Sequence, residues 1–320
     1  MTSTTSSSER RSRSARHGAR PAWMCVLTLI LATTASMQAQ DLTETTEDLL
    51  QRGRRLLEVG RHAAARAAFA KAVEQDPELA EAHYGLGFVS YLENDLQASR
   101  SHLERALVVA PTHVMALRKL GAVLARLGDL EGAENALRRA VSTDPGDAVV
   151  HKLLGGVLRE RGRLDEASAE LERALELRPG YADAYHGLGL VATRRGQIDE
   201  ALVFHRKAVR ADPLQFRARN QIGVILARRG KVEPAIEEFV KALETSPDYV
   251  PALYNLAQAY ARLGEYEGAL AELERVVAVD REHRRAYELL ATLYRRVGRE
   301  ADALRAAQKA LHLRQAARSR

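Results

Sequence analysis

From about residue 46 onward, apolar residues recur three and four apart in short blocks. Leu117, Leu120 and Leu124 form one block, and Leu130, Ala133, Leu137, Ala140 and Val141 the next. This is the period of helices that bury one stripe. The breaks between blocks are periodic as well. Pro77, Pro111, Pro145, Pro179, Pro213 and Pro247 are spaced by 34 residues each time. A second series is Gly53, Gly87, Gly121, Gly155, Gly189 and Gly223, continued by Ala257 and Ala291. A third is Gly60, Asn94, Gly128, Gly162, Gly196, Gly230, Gly264 and Gly298, and a fourth is Ala65, Ser99, Ala133, Ala167, Ala201, Ala235, Ala269 and Ala303. Four residue classes holding one register over eight units predict a helix-turn-helix repeat of 34 residues.

Each class has a physical task. The small residues at positions 8 and 20 let two antiparallel helices approach. Position 15 suits a left-handed helix end, which Asn94 tolerates better than other non-glycine residues. Proline at position 32 stops the second helix. Pro234 and Pro251 fall in first turns, where a missing N–H costs little.

The pattern resembles the tetratricopeptide repeat family over about 85% of the chain. The repeats are 46–79, 80–113, 114–147, 148–181, 182–215, 216–249, 250–283 and 284–317, followed by a tail at 318–320. The resemblance implies an all-α, right-handed α-solenoid of eight 34-residue repeats. The family's bulky positions 4, 7, 11 and 24 are met in repeat 7 by Leu253, Leu256, Tyr260 and Leu273. Position 24 of repeat 5 departs from this, being His205 with Phe204 beside it, and its packing is left open. Asp48, Arg52 and Arg55 in repeat 1, and Ala307 in repeat 8, replace apolar residues and are expected to act as end caps.

The first forty residues have a different character. Met1 to Arg20 carry five arginines and one acid, and Pro21 to Gln40 carry no charge. Ala22 to Ala32 reads AWMCVLTLILA and runs into small residues. Residues 1–39 therefore read as a secretory signal peptide, cut after Ala35 or Ala39, with 40–45 as a short linker. The expected location is exported, periplasmic or extracytoplasmic. The alternative is an uncleaved anchor at residues 21–40, because about 20 residues span a bilayer. Cys25, the single cysteine, lies in this segment and excludes a disulfide framework.

The leader also reduces the apparent basicity. Of the formal +6, residues 1–39 hold +4, so the remainder holds +2. That is small for a phosphate-tracking surface, and no nucleic acid is expected. No cofactor, metal or catalytic residue is expected either. The glycine clusters read as products of the repeat register, which leaves no phosphate loop. His83, His151 and His186 lie on the first helices of repeats 2, 4 and 5 but read as packing residues. Asp165-Glu166 and Asp199-Glu200 open second helices, where carboxylates suit the helix dipole.

The resemblance implies that first helices line a concave groove through positions 2, 5, 6, 9, 12 and 13. Those positions sum to +7 here, against −5 for the rest of the chain after residue 39. Arg126, Arg194, Arg228, Arg262 and Arg296 form a ladder at position 13, joined by Arg118, Lys119, Lys152 and Arg217. Guanidinium groups suit carboxylates, though the same arginines can pair with acids of the next repeat. Tyr84, Phe88 and Tyr91 form an aromatic stripe, either an anchor for apolar side chains or packing against repeat 1. Asn220, Tyr254 and Asn255 complete the candidate groove residues.

The family's carboxylate clamp is matched only by Asn255 and Arg285, with Asn220, Val224 and Leu289 where Lys, Asn and Arg are needed. Binding of chaperone C-termini in that mode is not expected. The expected function is a non-enzymatic scaffold whose basic groove takes an acidic extended peptide or helix of a partner. The alternative is a structural subunit of a cell-envelope assembly for secretion, pilus or outer-membrane biogenesis, using the convex face or end caps.

Overall fold

The computed structural model describes residues 44–318, and all of its regular structure is helical. Sixteen helices with no strand are present among these residues. The expected leader and most of the linker lie outside the described residues, as do the last two residues of the tail. No helix among the described residues is long and apolar enough to cross a membrane. The chain divides into one compact unit ending at Pro77 and a second beginning at Glu78.

The first unit holds α1 (Thr46–Glu58) and α2 (His62–Gln75). Thr45 caps α1 with a capping box: its hydroxyl accepts from the Asp48 N–H, and Asp48 accepts in return from the Thr45 N–H. Asp48, expected as a polar end residue, thus closes the helix start. Phe69 of α2 lies on Gly53 of α1, where an added Cβ would stand 2.6 Å from the ring.

The second unit holds seven helix pairs. They are α3 (Ala80–Leu92) with α4 (Leu96–Val109), α5 (Val114–Leu127) with α6 (Leu130–Thr143), α7 (Ala148–Glu160) with α8 (Leu164–Leu177), and α9 (Ala182–Arg194) with α10 (Ile198–Ala211). Then come α11 (Phe216–Arg228) with α12 (Val232–Thr245), α13 (Val250–Leu263) with α14 (Tyr266–Val279), and α15 (Arg284–Arg296) with α16 (Glu300–Ala316). Each pair packs on the next, the second helix of one against the first helix of its successor.

The periodic small residues explain the pairing. Position 20 is buried in every pair, from Ser99 to Ala303, and the Ser99 hydroxyl satisfies itself by donating to the Gly87 carbonyl at 2.7 Å. Position 8 accepts the side chain of position 24 from the partner helix. A Cβ on Gly121 would lie 2.5 Å from Leu137, and one on Gly155 2.7 Å from Leu171. His205 fills the same slot over Gly189 and is fully buried, so its packing is that of the family's bulky residue. Asn94 does take the left-handed conformation, with φ 63°. Pro251 sits in the first turn of α13.

The apolar core of the second unit is uneven. A large cluster runs from Leu103 to Val191, and another from Ala235 to Ala306. Between them, Ala192, Ala201, Leu202, Ile222 and Ile225 form a small cluster of their own.

Many acids near the second helices join neighbouring pairs. Asp165 meets Arg195 at 2.6 Å and Asp199 meets Arg229 at 2.5 Å. Glu134 is buried and receives hydrogen bonds from Arg138, Arg161 and Arg163. Burial opposes its charge, but the bonds from Arg138 and Arg163 outweigh that and hold its carboxyl below the usual range.

Candidate protein-binding face

The expected groove residues of the second unit lie on its first helices, and the structure shows what each one touches. On α3, Tyr84 stacks on Phe88 with ring centroids 6.2 Å apart and leans on His113 at 5.2 Å. Lys119 of α5 places Nζ 4.2 Å from the Phe88 centroid and 4.5 Å from that of Tyr91. The Arg126 guanidinium lies 5.2 Å from the Tyr91 ring. The stripe is therefore a cation–π surface. Burial, with the nearby Arg118 charge, pushes the Lys119 ammonium below its usual pKa, and burial pushes the Tyr84 hydroxyl up.

The position-13 ladder mostly reaches backward along the stack. Arg194 donates to the Arg159 carbonyl at 2.9 Å and to Glu160 at 2.6 Å. Arg262 donates to the Ala227 carbonyl at 3.1 Å. The last carbonyls of a helix lack intrahelical donors and carry partial negative charge, so each arginine caps the preceding first helix. Arg126 donates to the Asn94 side chain, and Arg296 to the Tyr266 hydroxyl at 2.9 Å. Arg228 makes no hydrogen bond or ion pair with any described residue. Pairing with an acid of the next repeat does occur, but near the helix starts: Lys152 meets Asp183 at 3.7 Å, while Arg118 meets Asp147, the last residue of its own repeat and the cap of α7, at 2.8 Å.

Two of the remaining positions are spent on packing. Asn220 is only 2% exposed and accepts a hydrogen bond from the Asn255 amide at 2.9 Å, so its side chain is withdrawn from the surface. Tyr254 leans on His283 with centroids 5.1 Å apart. Asn255 also borders a cavity of about 160 Å³ with Arg228 and Arg262. Arg217 stacks on Phe216 at 5.3 Å and meets no carboxylate among the described residues.

A larger cavity of about 490 Å³ gathers part of this set. Tyr91, Arg126, Lys152 and Arg217 line it together with Arg159 and Glu160, which the sequence reading did not single out. Their signal was available, since they occupy groove positions 12 and 13 of repeat 4. The floor includes Gly121, Ala122, Ala125, Leu153 and Gly156.

His151 and His186 hold separate partners. His151 sits 2.6 Å from Glu170 and 3.1 Å from the Pro145 carbonyl, whereas His186 faces His205 at 3.4 Å. Among the described residues, no group of three or more histidines, cysteines and acids is placed to hold a metal ion.

Family models described as tetratricopeptide repeat match residues 50–111 and 91–148, residues 146–214, and residues 226–293. The chain is similar to the crystal structure of a tetratricopeptide repeat protein from Parabacteroides merdae, at 16% identity and TM-score 0.65, covering 78% of this chain and 98% of that one. It is also similar to Cut9-Hcn1, an APC/C hetero-tetramer, at 18% identity and TM-score 0.61, covering 85% of this chain and 54% of that one. A crystal structure of MamA aligns at 29% identity and TM-score 0.43, covering 51% of this chain and 95% of that one. No curated protein matches the chain.

Proposed function

Because the chain belongs to the tetratricopeptide-repeat family, whose fold serves as a scaffold for protein–protein interaction, we propose that the first-helix face of its second unit binds an acidic extended peptide or helix of a partner. The observation that carries this reading is a set of cations without carboxylate partners. Lys119 rests only on aromatic rings, Arg217 stacks on Phe216, Arg126 meets an amide, and Arg228 has no partner among the described residues. A carboxylate ligand would supply the missing counter-charges, and the aromatic stripe offers it apolar contact. We place the protein outside the cytoplasm, with residues 1–39 as its export signal or, uncleaved, its membrane anchor.

Fluorescence anisotropy with labelled peptides of about fifteen residues tests the reading. Peptides rich in Glu and Leu should bind and weaken as salt rises, whereas Lys-for-Glu counterparts should not bind. Lys119→Glu with Arg228→Glu should weaken binding at least about tenfold, equivalent to about 1.4 kcal/mol. Equal binding of acidic and basic peptides, unaffected by salt and by these reversals, would sink it. Crosslinking in the native host would report compartment and partner together.

A further inference from the structure

Building on the acidic-ligand reading above, we infer that the cavity between α5 and α7, with walls from α3 and α11, is an anchor site for a partner segment in which large apolar side chains are flanked by carboxylates. The first support is Gly156. Glycine inside a helix costs about 1 kcal/mol relative to alanine, so a packing need usually explains it. Its neighbour Gly155 has such a need, because a Cβ there would stand 2.7 Å from Leu171. Gly156 has none, since a Cβ there meets nothing within 4 Å. Its effect is to leave open the floor of the 490 Å³ cavity that it lines. It also stands outside every repeat series, so the register does not account for it as it accounts for Gly155.

The second support is the mixture of floor and rim. Gly121, Ala122, Ala125 and Leu153 present apolar and backbone surface, while Arg126, Lys152, Arg159 and Arg217 bring four cations to the edge. The one lining carboxylate, Glu160, is already shared between Arg159 and Arg194, each at 2.6 Å. A purely apolar ligand would strand Arg126 and Arg217, which meet no carboxylate among the described residues, and a purely acidic one would leave the floor wet. A volume of about 490 Å³ lies within the ~300–1,000 Å³ range of small-ligand sites and admits one or two large side chains. Four cations against one carboxylate call for an occupant of opposite charge, a segment of a partner protein.

The test uses the full chain, with Gly156→Leu to fill the floor and Gly156→Ala as control. Neither should lower the thermal midpoint, because the position is open and both replacements favour helix. The probes are three fluorescein-labelled peptides: one with a tryptophan flanked by aspartates and glutamates, the same peptide with serine for tryptophan, and its lysine counterpart. Gly156→Leu should weaken the tryptophan peptide about tenfold or more and leave the serine peptide unchanged. Arg217→Gln should weaken both acidic peptides and flatten their salt dependence. If Gly156→Leu leaves tryptophan-peptide binding intact while acidic peptides still bind in a salt-sensitive way, the anchor site is wrong and the broader groove reading stands. If no acidic peptide binds, both fall. If the peptides fail and dodecanoate binds in a Gly156→Leu-sensitive way, the cavity serves a small anionic amphiphile and the peptide assignment is overturned.

Discussion

In the hairpin α11–α12 the ring of Phe239 lies over Gly223, and in the neighbouring hairpin α9–α10 the ring over Gly189 belongs to His205. The fit is equally close, with an added Cβ 2.5 Å from Phe239 in one and 2.4 Å from His205 in the other. Both rings are almost wholly buried, at 1% and 0% exposed. The chemistry differs. His205 Nε2 has no hydrogen-bond partner, and its Nδ1 faces His186 Nδ1 at 3.4 Å with the rings 5.2 Å apart. Burial first, and the neighbouring His186, push the His205 pKa down to about 3. Burial lowers His186 to about 4, helped by the Arg159, Arg217 and Lys152 charges and opposed by Asp183. Shape is satisfied in both hairpins, and only one of them is satisfied in polarity as well. An unpaired buried polar atom costs about 1–3 kcal/mol, so the register tolerates histidine at the expense of stability.

The larger loss of stability is expected at the phenylalanine. Phe239→Ala should cost about 3–5 kcal/mol in denaturant titration, because the ring fills a slot that Gly223 cannot refill. A loss below about 1 kcal/mol would mean that the slot collapses and that the glycine–ring contact does not hold the pair. Next comes the acid response of the histidine pair. With folded pKa values below the usual 6.5, the unfolded chain binds more protons, so the contribution is complete above about pH 6.5 and is lost as pH falls toward 4 and 3. Stability should therefore rise with pH by several kcal/mol across that window, at about 1.4 kcal/mol for each pH unit by which a group is depressed. His205→Phe should raise stability at pH 7 and flatten the slope, as followed by helical circular dichroism in denaturant at several pH values. An unchanged slope would assign the acid response to other groups.

The smallest effect contrasts the arginines that end α9 and α11. Arg194 holds Glu160 and the Arg159 carbonyl, whereas Arg228 holds nothing described. Arg194→Ala should cost about 0.5–1 kcal/mol, limited because both members of its ion pair are roughly two-fifths exposed, and Arg228→Ala no more than a few tenths. Equal costs in chemical denaturation would show that the backward capping contributes nothing.

The repeat register was legible because proline, left-handed glycine and close-approach alanine are each demanded by backbone geometry and recur every 34 residues. It fixed the pairing of Gly121 with Leu137 as firmly as any contact requires. The groove positions were legible as positions, but not by what they hold. Arg194, Arg262 and Arg296 share one register site, yet they end on a carboxylate and carbonyl, a carbonyl, and a phenol. Their long side chains choose among neighbours that lie one repeat away, and local periodicity does not encode that choice. Asn220 looks polar and available in sequence, but Asn255 holds it inside. The cavity is hidden in the sequence because Gly155 and Gly156 read as one cluster belonging to the register. Only the first belongs to it, and the off-register glycine inside a helix is the mark that the cavity leaves in the sequence.

The small apolar cluster around Ala192 and Ile222 gives the array a seam. In a linear stack each pair is steadied only by its immediate neighbours, so an opening that starts at one end travels until it meets a stronger interface. Here the apolar packing changes from two large clusters to a small one beside a histidine pair that resists charge. Separate melting of the larger clusters on either side is the expected consequence, and amide exchange that differs between them would reveal it, whereas uniform protection along the stack would show a single block.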